Sequence, residues 1–177
     1  MKCAQSHGVG VDAHRLAIID YTLPSREKRM WVVDIEEQKL LFEEHVAHGQ
    51  KSGFDVPTAF SDRNGSHQTS LGLYLTDATY QGGNGYSLKL HGLSKGFNES
   101  AMHRKIVMHG APYVNPRAAK SMGRLGRSWG CPAVRVSIAR PMIDALKEGN
   151  FIYSYGPGTA SLSRCGSENL TLASLAN

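Results

Sequence analysis

The sequence predicts a β-rich mixed domain with its few helices late in the chain. Three observations point that way. Short runs rich in β-branched and aromatic residues recur from Leu16 to His109, split by polar breaks. One stretch, Ser137 to Glu148, carries a clear helical stripe of apolar residues. No apolar run approaches the length needed to span a membrane as a helix.

The elements follow in order. Residues 1–14 are Gly- and His-rich and read as an irregular segment. Leu16–Tyr21, Arg29–Ile35 and Leu40–Ala47 form three strands with short polar turns between them, a β-meander. His48 to Gly72 is rich in Gly, Ser and Asp and is too long for a plain connector, which marks a binding loop. His45 and His48 stand on opposite faces of an extended strand, so they do not form a metal pair. Leu71–Thr76 and Tyr86–His91 alternate as strands around a Gln81–Gly85 turn. That turn lacks the lysine and following helix of a phosphate loop.

Asn98–Arg104 reads as a short helix capped by Asn98. Lys105–His109 is nearly all apolar and reads as a central strand delivering His109 to its end, where active sites gather. Pro116–Met122 is a short helix with proline in its first turn and Gly123 as its stop. In Ser137–Glu148 the stripe is Ile138, Met142, Ile143 and Leu146, with Pro141 expected in the first turn and Gly149 at the end. Asn150–Tyr155 is the last strand. Residues 157–177 read as a peripheral tail.

The chain has 177 residues, enough for one domain with a real core. Hydrophobic residues make up 41% and charged residues 20%, as in ordinary globular proteins. The formal charge of +5 and pI near 9.2 favour an anionic partner. Lys/Arg runs stop at two residues and no nucleic-acid motif is present, which argues against nucleic acid. Met1–Gly8 lacks the hydrophobic centre of a signal peptide.

The chemistry concentrates between Met108 and Arg135. His109 ends an apolar run, and Cys131 sits in the turn Ser128-Trp129-Gly130-Cys131-Pro132. A cysteine nucleophile needs a base or cation within reach, and this pair can supply both partners. Gly130 allows close backbone approach, and Pro132 pushes Cys131 towards extended geometry. Amides near Trp129, Gly130 and Cys131 then point at a developing oxyanion. The plainer reading is a buried structural cysteine beside an ordinary histidine.

Ile106-Val107-Met108-His109-Gly110, followed by Gly126-Arg127-Ser128-Trp129-Gly130-Cys131-Pro132-Ala133-Val134, resembles the catalytic signature of the L,D-transpeptidases of bacterial cell walls. The nearest branch is that of murein L,D-transpeptidase catalytic domain proteins. The resemblance runs over residues 15–156 and includes Val46–Gly49, Ser70–Gly72 and Gly85–Leu88. It departs from the family pattern in two places. Trp129 stands where the family has histidine, and Ala133 stands where it often has arginine, with Arg135 further on.

The resemblance implies a mainly β, sandwich-like catalytic domain over residues 15–156. It implies Cys131 as nucleophile, His109 as base, and the Gly110 carbonyl as the group that orients the imidazole. Ser128, Arg127, Tyr113, His48, Ser70 and Tyr86 are the candidate substrate-binding residues, each with a plain alternative in loop or core packing. The implied partners are peptidoglycan stem peptides and carbapenem-type inhibitors, without cofactor or metal. The implied location is the periplasm or cell envelope.

Two other classes stay open at this stage. One is a thiol enzyme that hydrolyses, such as an L,D-carboxypeptidase or amidase, including one delivered to a rival's envelope as a toxin. The other is a non-catalytic wall-binding module. Cys3 and Cys165, one near each terminus, either pair in an exported protein or stay as free thiols.

Overall fold

A computed structural model describes residues 2–163. The strands are β1 (Arg15–Asp20), β2 (Met30–Asp34), β3 (Lys39–Glu44), β4 (Gly72–Gly82), β5 (Gly85–Gly92), β6 (Val107–Gly110), β7 (Ala133–Val134) and β8 (Phe151–Tyr155). The helices are α1 (Lys2–Ser6), α2 (Pro116–Met122) and α3 (Val136–Leu146), and a 3-10 turn covers Thr159–Ser163. The strands form one sheet in the order β3-β2-β1-β8-β4-β5-β6-β7. Neighbours pair antiparallel except β1 with β8 and β6 with β7. The meander β1–β2–β3 is the one expected from the sequence.

The mainly β expectation therefore holds, in the form of a single sheet nearly closed into a barrel. Its two ends approach beyond β3, where the Ala47 amide donates to the Ala133 carbonyl of β7 at 2.8 Å. Arg135 and Glu44 pair across the same seam. The seam brings the segment after β3 against the turn that carries Cys131.

Inside, Ile19, Met30, Val32, Leu88, Leu90 and Met108 are fully buried with Met142, Ile143 and Leu146 of α3. The apolar stripe on α3 is what covers the sheet. Gly110 allows the close approach at its foot: a Cβ there would lie 2.8 Å from the Ala139 Cβ and 3.2 Å from the Val136 Cα. Such a contact leaves no room for any larger residue.

Several expectations change. The irregular N-terminal segment contains α1, and its Ala4 packs with Val9, Leu93 and Phe151 in a small second cluster. Asn98–Arg104 is a chain of turns instead of a helix. The Asn98 side chain does not cap: it accepts from the Ser94 amide at 2.8 Å and donates to the Leu73 carbonyl at 2.9 Å. Pro141 lies inside α3, past its first turn, and Lys147, not Gly149, caps that helix.

β4 outruns the expected Leu71–Thr76. It bulges between Thr76 and Thr79 and continues as an exposed, polar ribbon where hydrophobic alternation has faded. β6 lies between β5 and the two-residue β7, beside the sheet's end and not at its centre, and it is buried because α3 covers it. Cys3 is disulfide-bonded, while Cys165 and most of the C-terminal tail lie outside the described residues. Among the described residues, no helix is long and apolar enough to cross a membrane.

Candidate active site

β6 and the turn before β7 build one cavity of about 400 Å³, lined by residues that include His109, Tyr113, Arg127, Ser128, Trp129 and Cys131. His109 pairs with Ser87 of β5 on one side and Ala133 of β7 on the other. That register sets His109 two residues along from Val107, whose amide lies 3.5 Å from the Cys131 Sγ. The thiol also faces the Lys105 carbonyl at 3.8 Å. Cys131 is half-buried and is a free thiol.

The imidazole is buried, and its Nδ1 lies 3.0 Å from the Gly110 carbonyl oxygen. A carbonyl only accepts, so Nδ1 carries the hydrogen and Nε2 keeps its lone pair. This is the orienting bond that the resemblance implies. Burial lowers the His109 pKa below the usual histidine value, against the Gly110 bond, which raises it. Burial also pushes the Cys131 thiol up, while the Val107 amide and the Arg104 charge pull it down. Both net shifts favour the neutral forms, thiol and unprotonated imidazole.

The turn itself is locked by Ser128. Its hydroxyl donates to the Cys131 carbonyl at 2.7 Å and accepts from the Gly130 amide at 3.1 Å. Gly130 has φ +119°, and a Cβ there would stand 2.6 Å from the Gln68 carbonyl oxygen, so only glycine fits. The Gly130 amide is therefore engaged in the resting structure and does not point freely at a substrate oxygen.

A family model described as the L,D-transpeptidase catalytic domain matches residues 1–155. The chain belongs to that family. Among solved structures, it is similar to an L,D-transpeptidase from Mycobacterium smegmatis, at 15% identity and a TM-score of 0.50. That match covers 81% of this chain and 59% of the other. It is also similar to the helical cell shape determining protein Pgp2 from Campylobacter jejuni, at 14% identity and a TM-score of 0.52, over 79% of this chain and 46% of the other. The chain thus spans about half the length of these solved structures, and the likeness is one of fold. No curated protein sequence matches the chain.

Within this L,D-transpeptidase domain the other candidate residues divide into two groups. Arg127 and Tyr113 line the cavity with Ser128. Arg127 donates to the carbonyls of Gln50 at 3.0 Å and Gly53 at 2.7 Å, so it also ties the long loop to the turn. Trp129 is 69% exposed, forms the cavity's lip, and stacks on His67 with ring centroids 4.7 Å apart.

His48, Ser70 and Tyr86 do not line this cavity. His48 is buried beneath the turn, where Nδ1 accepts from the Arg29 guanidinium at 2.8 Å and its carbonyl accepts from the Ser128 amide at 2.9 Å. Ser70 is buried against Ser61, Asp62 and Arg104. Tyr86 packs outward, donating to Asp144 at 2.6 Å under the Arg140 guanidinium.

Arg104 escaped the sequence reading. Its side chain is almost wholly buried, and it also lines the cavity. It donates to the Ser61 carbonyl at 2.9 Å and the Gln68 carbonyl at 2.7 Å, and pairs with Asp62 at 3.4 Å. Because Gln68 packs under Gly130, Arg104 pins the loop over residues 61–70 against the turn that carries Cys131. The sequence offered only a lone arginine just before an apolar strand.

Proposed function

We propose that this domain is a cysteine-dependent L,D-transpeptidase acting on tetrapeptide stems of peptidoglycan. One observation supports this above the others: His109 and Cys131 face a single cavity, with the imidazole fixed in the tautomer that presents Nε2. In this reading His109 Nε2 takes the Cys131 proton as the sulfur attacks the L-centre carbonyl of the third stem residue. Backbone amides of the Trp129–Cys131 turn stabilise the oxyanion, with the Gly130 amide first leaving the Ser128 hydroxyl or yielding to its neighbours.

The imidazolium then protonates the leaving nitrogen. Terminal D-alanine departs, and a thioester remains on Cys131. A side-chain amine of another stem attacks that thioester, His109 accepts the amine's proton, and Cys131 leaves as a thiolate that recovers the proton. Thiol and imidazole suffice for this sequence, so it asks for no cofactor or metal. The strained amide of a carbapenem would acylate the same sulfur. The expected place of work is the periplasm or cell envelope.

Purified muropeptides, followed by mass spectrometry, test the reading. Release of D-alanine with new amide cross-links or exchange products supports transpeptidation. Release of D-alanine with water as sole acceptor would instead make the protein a carboxypeptidase. No release from any donor contradicts catalysis and leaves wall binding as the role.

A further inference from the structure

The cavity wall carries three permanent cations, Arg104, Lys105 and Arg127, and no carboxylate. They are not equivalent. Arg104 is buried and already paired with Asp62. Arg127 is held by two backbone carbonyls, which leave its charge uncompensated. Lys105 is exposed, and among the described residues its ammonium makes no ion pair.

Lys105 is unusual in its backbone as well. Its φ is +55°, a left-handed conformation that glycine adopts without steric cost. The residue sits where the turns end and the strand bearing His109 begins, and its carbonyl faces the Cys131 thiol at 3.8 Å. Lys105 thus lines the cavity beside the Cys131 thiol, on a backbone held in a glycine-like conformation.

We propose that Lys105, with Arg127 beside it, forms a carboxylate subsite that holds the terminal D-alanine carboxylate of the donor stem. This rests on the transpeptidase reading of the same cavity. That carboxylate is the anionic group closest to the amide being cut, so its capture aligns the carbonyl with Cys131. A charge-assisted hydrogen bond at a half-open site accounts for about a tenfold preference.

The test compares two donors, a tetrapeptide stem ending in D-alanine and the same stem ending in D-alaninamide. The wild type should favour the carboxylate donor about tenfold in kcat/KM, mainly through KM. Lys105→Met should bring that ratio close to one, and Lys105→Arg should keep it. Lys105→Gly should melt no lower than wild type while losing the preference. A Lys105→Met enzyme that retains the wild-type ratio overturns the subsite and leaves the transpeptidase reading standing. So does a wild type with no preference, or a Lys105→Gly protein that melts several degrees lower, since the lysine would then be structural. Failure of the wild type on both donors removes the catalytic reading and the subsite together.

Discussion

Lowering the pH should loosen the support of the Cys131 turn through His48. This imidazole is 1% exposed, and its Nδ1 accepts a hydrogen bond from the Arg29 guanidinium at 2.8 Å. The hydrogen therefore sits on Nε2, facing the Gly53 carbonyl at 3.4 Å. Protonating Nδ1 would set one N–H against another inside the protein. Burial first, and then the Arg29 charge, lowers the His48 pKa from 6.5 to about 4. The folded state thus holds this proton less readily than the unfolded chain.

Stability from neutral His48 is fully present above pH 6.5 and drains away as the pH falls towards 4. The gap between those values, at 1.36 kcal/mol per pH unit, comes to about 3 kcal/mol. His45 and His109 are also lowered by burial, and carboxylates titrate in the same range, so the wild-type slope alone does not isolate His48. His48→Gln keeps one acceptor and one donor but no titration. Urea unfolding of both proteins between pH 7 and pH 4 gives the comparison. The stability difference between them should narrow or reverse by about 3 kcal/mol over that window. Parallel pH profiles would refute the reasoning.

Three further outcomes are expected. Gly110→Ala drives a Cβ to within 2.8 Å of Ala139, which should cost about 1–3 kcal/mol in thermal unfolding and slow turnover by displacing His109; an unchanged melting temperature and rate would contradict this packing. Alkylation of Cys131 in the resting protein should be slow at neutral pH and climb as the medium turns alkaline, because burial raises its pKa, whereas the acid limb of kcat/KM should lie below the ordinary histidine value because burial lowers that of His109. A labelling rate independent of pH, or an acid limb above pH 6.5, would contradict the neutral-pair description.

The sequence made some parts of this fold legible for local reasons. β1, β2, β5 and β8 announce themselves through alternating or β-branched runs, and α2 and α3 through proline, glycine and an apolar stripe. The Cys131 turn was visible because glycine and proline flank a cysteine at the right distance from a His-Gly pair. What stayed hidden depends on distant partners. Arg104 draws its meaning from Ser61, Gln68 and Ser70, which lie 34 to 43 positions away, and no local pattern records them. Asn98 carried a cap signal that the fold spends on Leu73 and Ser94 instead. His48 looked like a pocket residue from its neighbourhood in sequence, yet burial of Arg29 draws it under the turn. Lys105 drew attention only through its place in an apolar strand, since a left-handed backbone angle leaves no mark on composition.

The central claim is that Cys131 carries the acyl group, with His109 as the base that frees its sulfur. Intact-mass spectrometry of the protein mixed with a tetrapeptide stem or a carbapenem tests it most directly. The wild type should gain the mass of one acyl adduct on Cys131, Cys131→Ala should gain none, and His109→Gln should acylate orders of magnitude more slowly. An adduct that persists in Cys131→Ala, or an unmodified wild type across donors and pH, would contradict the account.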